Sequence, residues 1–329
     1  HRSGDQNERG EKEIEELNKN IYENRHSNEL YIKGRKWSLD YFETIYARLV
    51  TKFKHYFFES EVGPEGVIIV KSRPEIFEES EGAVIFPGEK YGLHNRVFIN
   101  SMGLPTYEAK ELGLNKEKFD LYNPDISIVV TGNEQSDYFR VLLKVMELTI
   151  PEVAAKTQHI GHGMLRLPTG KMSSRTGNVI IAESLIDDVR GAIETKLKNR
   201  EDLEDVEKEE IKEQVALSAI RYSILKQSIG KDIVFDMDNS ISFHGDSGPY
   251  IQYTYARLRS ILRKEELTGF ESQDISMETD SPVILKLAQF PEVVRWAAEN
   301  HLPSHLVSYL YDLAQLINSY YEVNPILKS

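Results

Sequence analysis

The first fifty residues carry apolar side chains at helical spacing. Leu30, Trp37, Tyr41 and Ile45 recur at intervals of seven, four and four residues, which is the repeat of one helix face. A less regular zone follows, with the aromatic run YFFESEV and the turn-forming sequence GPEG. We therefore expect residues 1–80 to form a mostly helical unit.

From about Gly82 the pattern changes to short apolar runs that alternate with helical stretches. The runs are AVIF, RVFIN and ISIVVTG, and the helical stretches are TYEAKELGL and YFRVLLKVMELTI. This alternation is typical of βα units that build a parallel sheet. The last strand candidate is HIGHGMLRL, directly before the loop PTGKMSSRTGN. We expect residues 81–205 to form an α/β unit.

The remainder of the chain reads as helices. Residues 199–213, NREDLEDVEKEEIKE, hold eight acids against three bases, which is typical of a solvated helix face or a hinge. Helical spacing then recurs in VALSAIRYSILKQ, GPYIQYTYARLRSILRK and SHLVSYLYDLAQLINSYYEV. We expect residues 206–329 to form an all-α bundle.

Composition narrows the classes of protein. A chain of 329 residues with 40% apolar residues is long enough for two or three packed units. It has no cysteine, which excludes a disulfide framework and a thiolate metal site and fits a cytoplasmic protein. No run of eighteen apolar residues occurs, so we expect no membrane span. The net charge of −13 does not exclude nucleic acid, because binding needs only a local basic stripe.

The loop PTGKMSSRTGN has the residue types of a phosphate-binding loop. Glycines flank Lys171, and Ser173, Ser174 and Arg175 follow. Glycine lets the backbone approach a ligand, while hydroxyls and cations stabilise negative charge that builds on a phosphate during displacement at phosphorus. By composition alone the loop also fits a basic surface turn, so both interpretations stay open.

KMSSRTGN resembles the KMSKS loop of class I aminoacyl-tRNA synthetases in the form typical of arginyl-tRNA synthetases. Further motifs resemble the same family in the same order: PTYEAKELG, VVTGNEQSDYF, FHGDSGPYIQYTYARLRSI and LYDLAQLINSYYEVNPIL. Residues 11–60 resemble the insertion between the family's two Rossmann halves. The resemblance implies an α/β fold: part of a Rossmann-like class I synthetase catalytic domain, followed by an all-α helical-bundle anticodon-binding domain. Residues 1–80, 81–205 and 206–329 would be the insertion, the second catalytic half with the KMSKS-like loop, and the anticodon-binding domain.

The resemblance also implies roles for individual residues. Those expected to bind arginine are Tyr107, Glu111 and Gln135. Those expected to bind ATP are Gly132, Glu134, His162, Gly163, Met164 and Lys171. Those expected to act in catalysis are Lys171, Ser173 and Arg175, and those expected to contact tRNA are Tyr253, Arg257 and Tyr321. Glu111 stands where the family usually has Asp, and Tyr138 stands where many relatives carry His, so we assign Tyr138 no role.

The string HIGH at residues 159–162 spells one of the two class I signature motifs. In that class the histidine motif follows the first strand of the catalytic domain, whereas this string lies within a strand, nine residues before KMSSR. We interpret it as a coincidence of lettering. The other upstream histidines lack the small-residue helix entrance of the motif: His1, His26, His55 and His94. We therefore expect a fragment without the N-terminal portion and the end of the last domain, inactive or nearly so alone.

The resemblance implies an arginine–tRNA ligase, with arginine, tRNA(Arg) and ATP accompanied by Mg²⁺ as its partners. We expect a monomer with no structural metal. Two alternatives stay open: a tRNA-binding paralogue that has lost catalysis, and a class I synthetase of another specificity, such as a glutamyl type. Cysteinyl-type zinc chemistry is excluded because the chain has no cysteine.

Overall fold

A computed structural model describes residues 8–24, 28–166, 168, 181–197, 203–264 and 281–324. The chain divides into two units, residues 1–161 and 162–329, which are described separately below. The domain limits that the sequence suggested after residues 80 and 205 stay predictions. No helix within the described ranges is long and apolar enough to cross a bilayer.

The first unit begins with helices, as the apolar spacing predicted. Asn28 caps the second of them, because its side chain accepts a hydrogen bond from the Tyr31 backbone N–H at 3.0 Å. The helices are α1 (Glu8–Asn24), α2 (Glu29–Arg48), α3 (Glu59–Lys71), α4 (Tyr107–Tyr122), α5 (Ser136–Thr149) and α6 (Pro151–Ala154). The strands are β1 (Glu78–Ser80), β2 (Ala83–Phe86), β3 (Arg96–Ile99), β4 (Ser127–Gly132) and β5 (Thr157–His162).

The first three strands form a small antiparallel sheet in the order β1-β2-β3. The parallel arrangement expected from AVIF and RVFIN is therefore wrong for these two runs. Val84 pairs with Ile99 and Phe86 with Arg96. The connection between β2 and β3 is short and contains the 3-10 turn Gly88–Tyr91. A parallel pair needs a crossover of a dozen or more residues, so the short connection favours antiparallel pairing.

Two glycines bring α3 and α4 into close contact. A Cβ on Gly66 would lie 1.7 Å from the backbone oxygen of Ala109, and one on Gly113 would lie 2.0 Å from that of Val62. No side chain larger than hydrogen fits at either position. The close crossing holds α4 by its first two turns, and these turns carry Tyr107 and Glu111.

One apolar core in the first unit joins these elements. Phe86 and Phe98 come from the antiparallel sheet, Leu112 from α4, and Phe139 and Met146 from α5, and each is at most 1% exposed. The apolar face of α5 is therefore buried between α4 and the sheet residues. Burial of large side chains of this kind contributes roughly 1.5–3 kcal/mol each.

Strands β4 and β5 form a second sheet, connected by α5 and α6. The Ser127 backbone N–H donates to the Lys156 carbonyl at 2.8 Å where the two strands begin. Strand β4 ends at Gly132, and the 3-10 turn Asn133–Gln135 leads directly into α5. The sequence GNEQ therefore lies at the end of a strand and the start of a helix.

The second unit is mainly helical, although the stretch predicted to be all-α, residues 206–329, also contains a two-residue strand. Its helices are α7 (Ala182–Leu197), α8 (Asp205–Leu225), α9 (Met237–Ser240), α10 (Gly248–Lys264), α11 (Pro282–Ala288), α12 (Phe290–Glu299) and α13 (Pro303–Val323). Two short strands, β6 (Leu165–Arg166) and β7 (Ile233–Val234), pair in parallel. The run HIGHGMLRL is thus divided between β5 and β6. Helix α8 packs on α7 and α10, and α13 packs on α10, α11 and α12.

Candidate functional site

Tyr107 and Glu111 meet at the start of α4. Tyr107 is the first residue of the helix and Glu111 lies one turn later, so both project from the same face. The Tyr107 hydroxyl is hydrogen-bonded to the Glu111 carboxylate. The tyrosine is 39% exposed and the glutamate only 9% exposed.

The Glu111 carboxylate is buried with one oxygen unpaired. Its Oε2 has no hydrogen-bond partner, and burial raises the pKa of the carboxyl, while the Lys118 ammonium and the Tyr107 hydroxyl act in the opposite direction. Burial lowers the pKa of Lys118 in turn. A buried carboxylate oxygen without a partner costs free energy unless a donor reaches it. The site therefore favours a ligand that carries positive charge and N–H donors.

The surroundings of Tyr107 also change the pKa of its hydroxyl. Burial, followed by the charge of Glu111, raises the pKa of Tyr107 to about 12. The phenol therefore keeps its proton at neutral pH and can donate it to the carboxylate. Because the Tyr107 hydroxyl donates to one oxygen of the Glu111 carboxylate, the other oxygen can accept a hydrogen bond from a ligand.

Tyr138, on the first turn of α5, packs against the ring of Tyr107. The two ring centroids are 4.9 Å apart, and the Tyr138 hydroxyl donates to the Tyr107 backbone carbonyl at 3.5 Å. Tyr138 is 4% exposed, and burial raises the pKa of its hydroxyl. The Arg96 guanidinium carbon lies 5.8 Å from the centroid of this ring, and Arg96 pairs with Glu108 at 3.7 Å. The sequence analysis assigned Tyr138 no role. Its position three residues after Gln135 of the sequence GNEQ is the feature that could have indicated a place near the site.

The turn from Gly132 to Gln135 presents its polar side chains to different degrees. Glu134 is exposed, whereas Gly132 and Gln135 are half-buried. Within the described part of the chain, Gln135 shares no hydrogen bond with Tyr107 or Glu111. The structure thus brings together two of the three residues predicted to bind arginine.

The segment from His162 to Met164 lies in the second unit. His162 is exposed, and its Nδ1 lies 2.8 Å from the Gly163 carbonyl oxygen. Gly163 is buried, and a Cβ there would lie 1.8 Å from the Lys231 carbonyl oxygen. The Met164 backbone N–H donates to Asp232 Oδ1 at 3.0 Å. This close backbone packing explains the glycine, and it leaves the His162 and Met164 side chains accessible.

The three residues predicted to act in catalysis, Lys171, Ser173 and Arg175, lie outside the described residues. Within the described ranges, no group of three or more histidine, aspartate or glutamate side chains could hold a metal ion.

The residues predicted to contact tRNA, Tyr253, Arg257 and Tyr321, form one cluster between α10 and α13. The Arg257 guanidinium carbon lies 4.7 Å from the Tyr253 ring centroid and 4.9 Å from that of Tyr321. Arg257 also donates from Nη2 to the Tyr253 hydroxyl at 2.6 Å and from Nη1 to Asn318 Oδ1 at 2.8 Å. The arginine is therefore already engaged by side chains of its own bundle.

Comparison with known proteins matches most of the chain to two family models. The family model for tRNA synthetases class I (R), catalytic domain, matches residues 7–237. The model for the DALR anticodon binding domain matches residues 251–329. The first match alone covers more than half of the chain.

Curated relatives and a solved structure agree with this assignment. The arginine–tRNA ligase of Flavobacterium psychrophilum is 32% identical over 301 residues, which cover 89% of this chain and 50% of the relative. That of Bdellovibrio bacteriovorus is 33% identical over 307 residues, which cover 91% and 53%. The Thermus thermophilus arginyl-tRNA synthetase structure matches with a TM-score of 0.79 and 26% identity, over 96% of this chain and 59% of that one.

The chain spans about half the length of the curated relatives it matches. Its motifs and both family matches agree. The chain belongs to the family of class I tRNA synthetases (R), and a region matching that family's catalytic domain precedes its DALR anticodon binding domain.

Proposed function

We propose that the complete protein represented by this chain is an arginine–tRNA ligase, which activates arginine with ATP and joins it to the 3′ end of tRNA(Arg). The observation that carries the proposal is the buried Glu111 carboxylate with one unpaired oxygen beside the Tyr107 hydroxyl. The relatives named arginine–tRNA ligase support it.

The chemistry of the Tyr107 and Glu111 pair suits a guanidinium group. A guanidinium is planar and permanently charged and offers its N–H donors in a fixed fork that matches a carboxylate. An aromatic ring beside the carboxylate can stack on its face. A neutral ureido group of the same shape would bring no positive charge to the buried Glu111 carboxylate, which gives the site a physical basis for selecting arginine. Gln135 is proposed to take part in reading the substrate.

The activation step needs negative charge to be stabilised at phosphorus. A carboxylate oxygen of arginine attacks the α-phosphorus of ATP, the bond to the bridging oxygen breaks, and pyrophosphate leaves. We assign stabilisation of the developing charge to Lys171, Ser173 and Arg175. ATP enters with Mg²⁺ as part of the substrate.

The ATP contacts are assigned to two segments. Gly132 and Glu134 are proposed to hold the ribose, since ligands of open α/β sheets bind where strands end and helices begin. His162, Gly163 and Met164 are proposed to border the adenine. The accessible side chains of Glu134, His162 and Met164 support these assignments.

In the second step the 3′-terminal ribose hydroxyl of tRNA attacks the activated carbonyl carbon, and AMP leaves. The DALR anticodon binding domain is proposed to hold the anticodon arm. Within α10 we assign the phosphate contacts to the exposed stripe Tyr255, Arg259 and Arg263, spaced four residues apart. Tyr255 is 64% exposed, whereas Arg257 is already engaged by Tyr253 and Asn318. Tyr253 and Tyr321 are then proposed to meet tRNA through the outer parts of their rings, by stacking.

Ligand-induced thermal stabilisation of the purified chain tests the proposal. Arginine at about 100 times its dissociation constant should stabilise the folded state by about 2.7 kcal/mol. Citrulline, which has the shape of arginine without its charge, should give little stabilisation. Glu111→Gln should remove the response to arginine, whereas Glu117→Gln on the same helix should retain it. An equal response to arginine and citrulline, or none to arginine, would contradict the proposal.

A further inference from the structure

His159, the first residue of the string HIGH, contacts two neighbouring elements of the first unit. Its ring lies on the Phe139 ring of α5 with centroids 4.0 Å apart and an angle of 5° between the planes. Its Nε2 lies 2.8 Å from Thr131 Oγ1 at the end of β4. One side chain in β5 is thus joined to the start of α5 and the end of β4, which are the two ends of the turn between them.

The Thr131 hydroxyl determines how this hydrogen bond is made. Thr131 Oγ1 donates to the Gly132 carbonyl at 3.1 Å, so its single proton is already used. The imidazole Nε2–H is then the donor and Thr131 Oγ1 the acceptor. Burial lowers the pKa of His159, which favours the neutral ring.

Gly161 brings β5 against the same turn. A Cβ on Gly161 would lie 2.8 Å from Ser136 Oγ and 3.2 Å from Asn133 Cα. Gly161 lies two residues after His159, and residues two apart in a strand point to the same side. His159 and Gly161 therefore press one side of β5 against both ends of the segment 131–136.

A series of aromatic rings extends this contact to the start of α4. Phe139 meets Tyr138 at 5.0 Å, and Tyr138 meets Tyr107 at 4.9 Å. The rings of Tyr138 and Phe139 are both buried, and close-packed interiors transmit small displacements. His159 is thus connected through packed rings to Tyr107 as well as through Thr131 to the turn.

We propose that His159 is a positioning residue, which holds the turn Gly132–Gln135 in the conformation that presents Glu134 and Gln135 to ligands. The identity of those ligands, arginine and ATP, rests on the proposed function. The geometry of the turn does not. His159 contacts no substrate in this role and acts through Thr131 and Phe139.

Two substitutions remove the hydrogen bond between His159 and Thr131 and keep the ring contact with Phe139. His159→Phe keeps a ring on Phe139 and removes the hydrogen bond, and Thr131→Val keeps the shape of Thr131 and removes the acceptor. His305→Phe is a matched control, because His305 also lies against an aromatic ring, that of Trp296 at 3.9 Å, in the other unit. The direct readout is amide hydrogen exchange at Ser136, whose N–H donates to the Asn133 carbonyl and closes the turn.

Both His159→Phe and Thr131→Val are expected to speed exchange at Ser136 by roughly three- to tenfold, the loss of one net hydrogen bond. Amides in the interior of α5 should keep their exchange rates, and the double substitution should add little to either single one. The affinity for arginine should fall by a similar factor in both variants. His159→Gln should restore part of the protection, because its amide can still donate to Thr131.

Unchanged exchange at Ser136 in both variants, or equal acceleration throughout α5, would overturn the proposal. The second result would show general destabilisation and not positioning of the turn. If the unsubstituted chain binds no arginine while exchange at Ser136 responds as expected, the proposed function fails and the positioning role stands.

Discussion

The ring of Tyr138 packs beneath that of Tyr107, with centroids 4.9 Å apart. Tyr138 belongs to the first turn of α5 and Tyr107 begins α4, so this contact connects the starts of two helices. The Tyr107 hydroxyl in turn lies beside the Glu111 carboxylate, one helix turn away. The buried ring of Tyr138 therefore supports the site that is proposed to read the guanidinium.

Tyr138→Ala is expected to lower the free energy of unfolding by about 3–5 kcal/mol, because it removes a fully packed ring. Tyr138→Phe keeps the ring and loses only a 3.5 Å hydrogen bond, so it should cost at most about 1 kcal/mol and retain arginine binding. Urea unfolding and calorimetric titration with arginine measure the two effects. Tyr138→Phe behaving like Tyr138→Ala would show that the hydroxyl, and not the ring, supports Tyr107.

Glu111 is expected to make stability depend on pH. Burial raises its pKa above the ordinary value of 4.5, so the folded state binds this proton more tightly than the unfolded state does. The contribution of the group to stability is then fully present below pH 4.5 and is lost as pH rises through the folded pKa. Glu111→Gln should flatten this loss and be about 1 kcal/mol more stable than the unsubstituted chain at pH 8.

The same shift predicts the pH dependence of ligand binding. Arginine needs the ionised carboxylate, so its affinity should fall as pH drops through the folded pKa of Glu111. Denaturant unfolding from pH 4 to pH 8 and binding titrations over the same range test both expectations. Glu117→Gln, on the same helix, is the control. A stability difference between Glu111→Gln and the unsubstituted chain that is the same at every pH would contradict the assignment.

Gly113→Ala is expected to destabilise the first unit by about 1–3 kcal/mol, although alanine favours helices. The new methyl group would meet the Val62 carbonyl oxygen at 2.0 Å and force α3 and α4 apart. Gly34→Ala in α2 meets no atom within 4 Å and should stabilise by about 0.5–1 kcal/mol. Thermal unfolding of both variants gives the comparison, and an equal response would show that α3 and α4 can separate without cost.

Arg257 and the pair Arg259 and Arg263 are expected to respond differently to substitution. Arg259→Ala with Arg263→Ala should leave stability within about 0.5 kcal/mol, because both side chains are exposed. The double variant should weaken tRNA binding and reduce the slope of log affinity against log salt by about 2, one for each phosphate contact. Filter binding at several salt concentrations measures this slope.

Arg257→Met should instead lower the stability of the bundle by about 1–3 kcal/mol, because it leaves Asn318 Oδ1 without its donor. Its salt slope for tRNA should stay close to that of the unsubstituted chain. A reduced slope for Arg257→Met with no change for the double variant would move the phosphate contact from the exposed stripe to the internal cluster.

Much of the fold follows from local periodicity. The spacing of Leu30, Trp37, Tyr41 and Ile45 predicted a helix, and α2 covers all four. Tyr107 and Glu111 are four residues apart on α4, and the two side chains meet on one face of that helix. These inferences succeed because a helix has a fixed repeat, so residues four apart are neighbours whatever the rest of the chain does.

Contacts between residues distant in sequence were not determined by local pattern. The runs AVIF and RVFIN read as strands, but their antiparallel pairing depends on which edges meet. Arg257 reads as a free cation until Asn318, sixty-one residues later, accepts its hydrogen bond. The sequence alone indicates no role for His159, because the string HIGH is a coincidence of lettering. The fold places its ring against Thr131 and Phe139.

The sequence by itself determined the family, the order of helices and strands, and the residue types available for binding. The tertiary structure decided which of those residues are free to meet a ligand and which are already held by other side chains. The physical reason is that periodicity reports which face of an element is apolar, whereas burial, pairing and pKa depend on the atoms that the fold brings to that face.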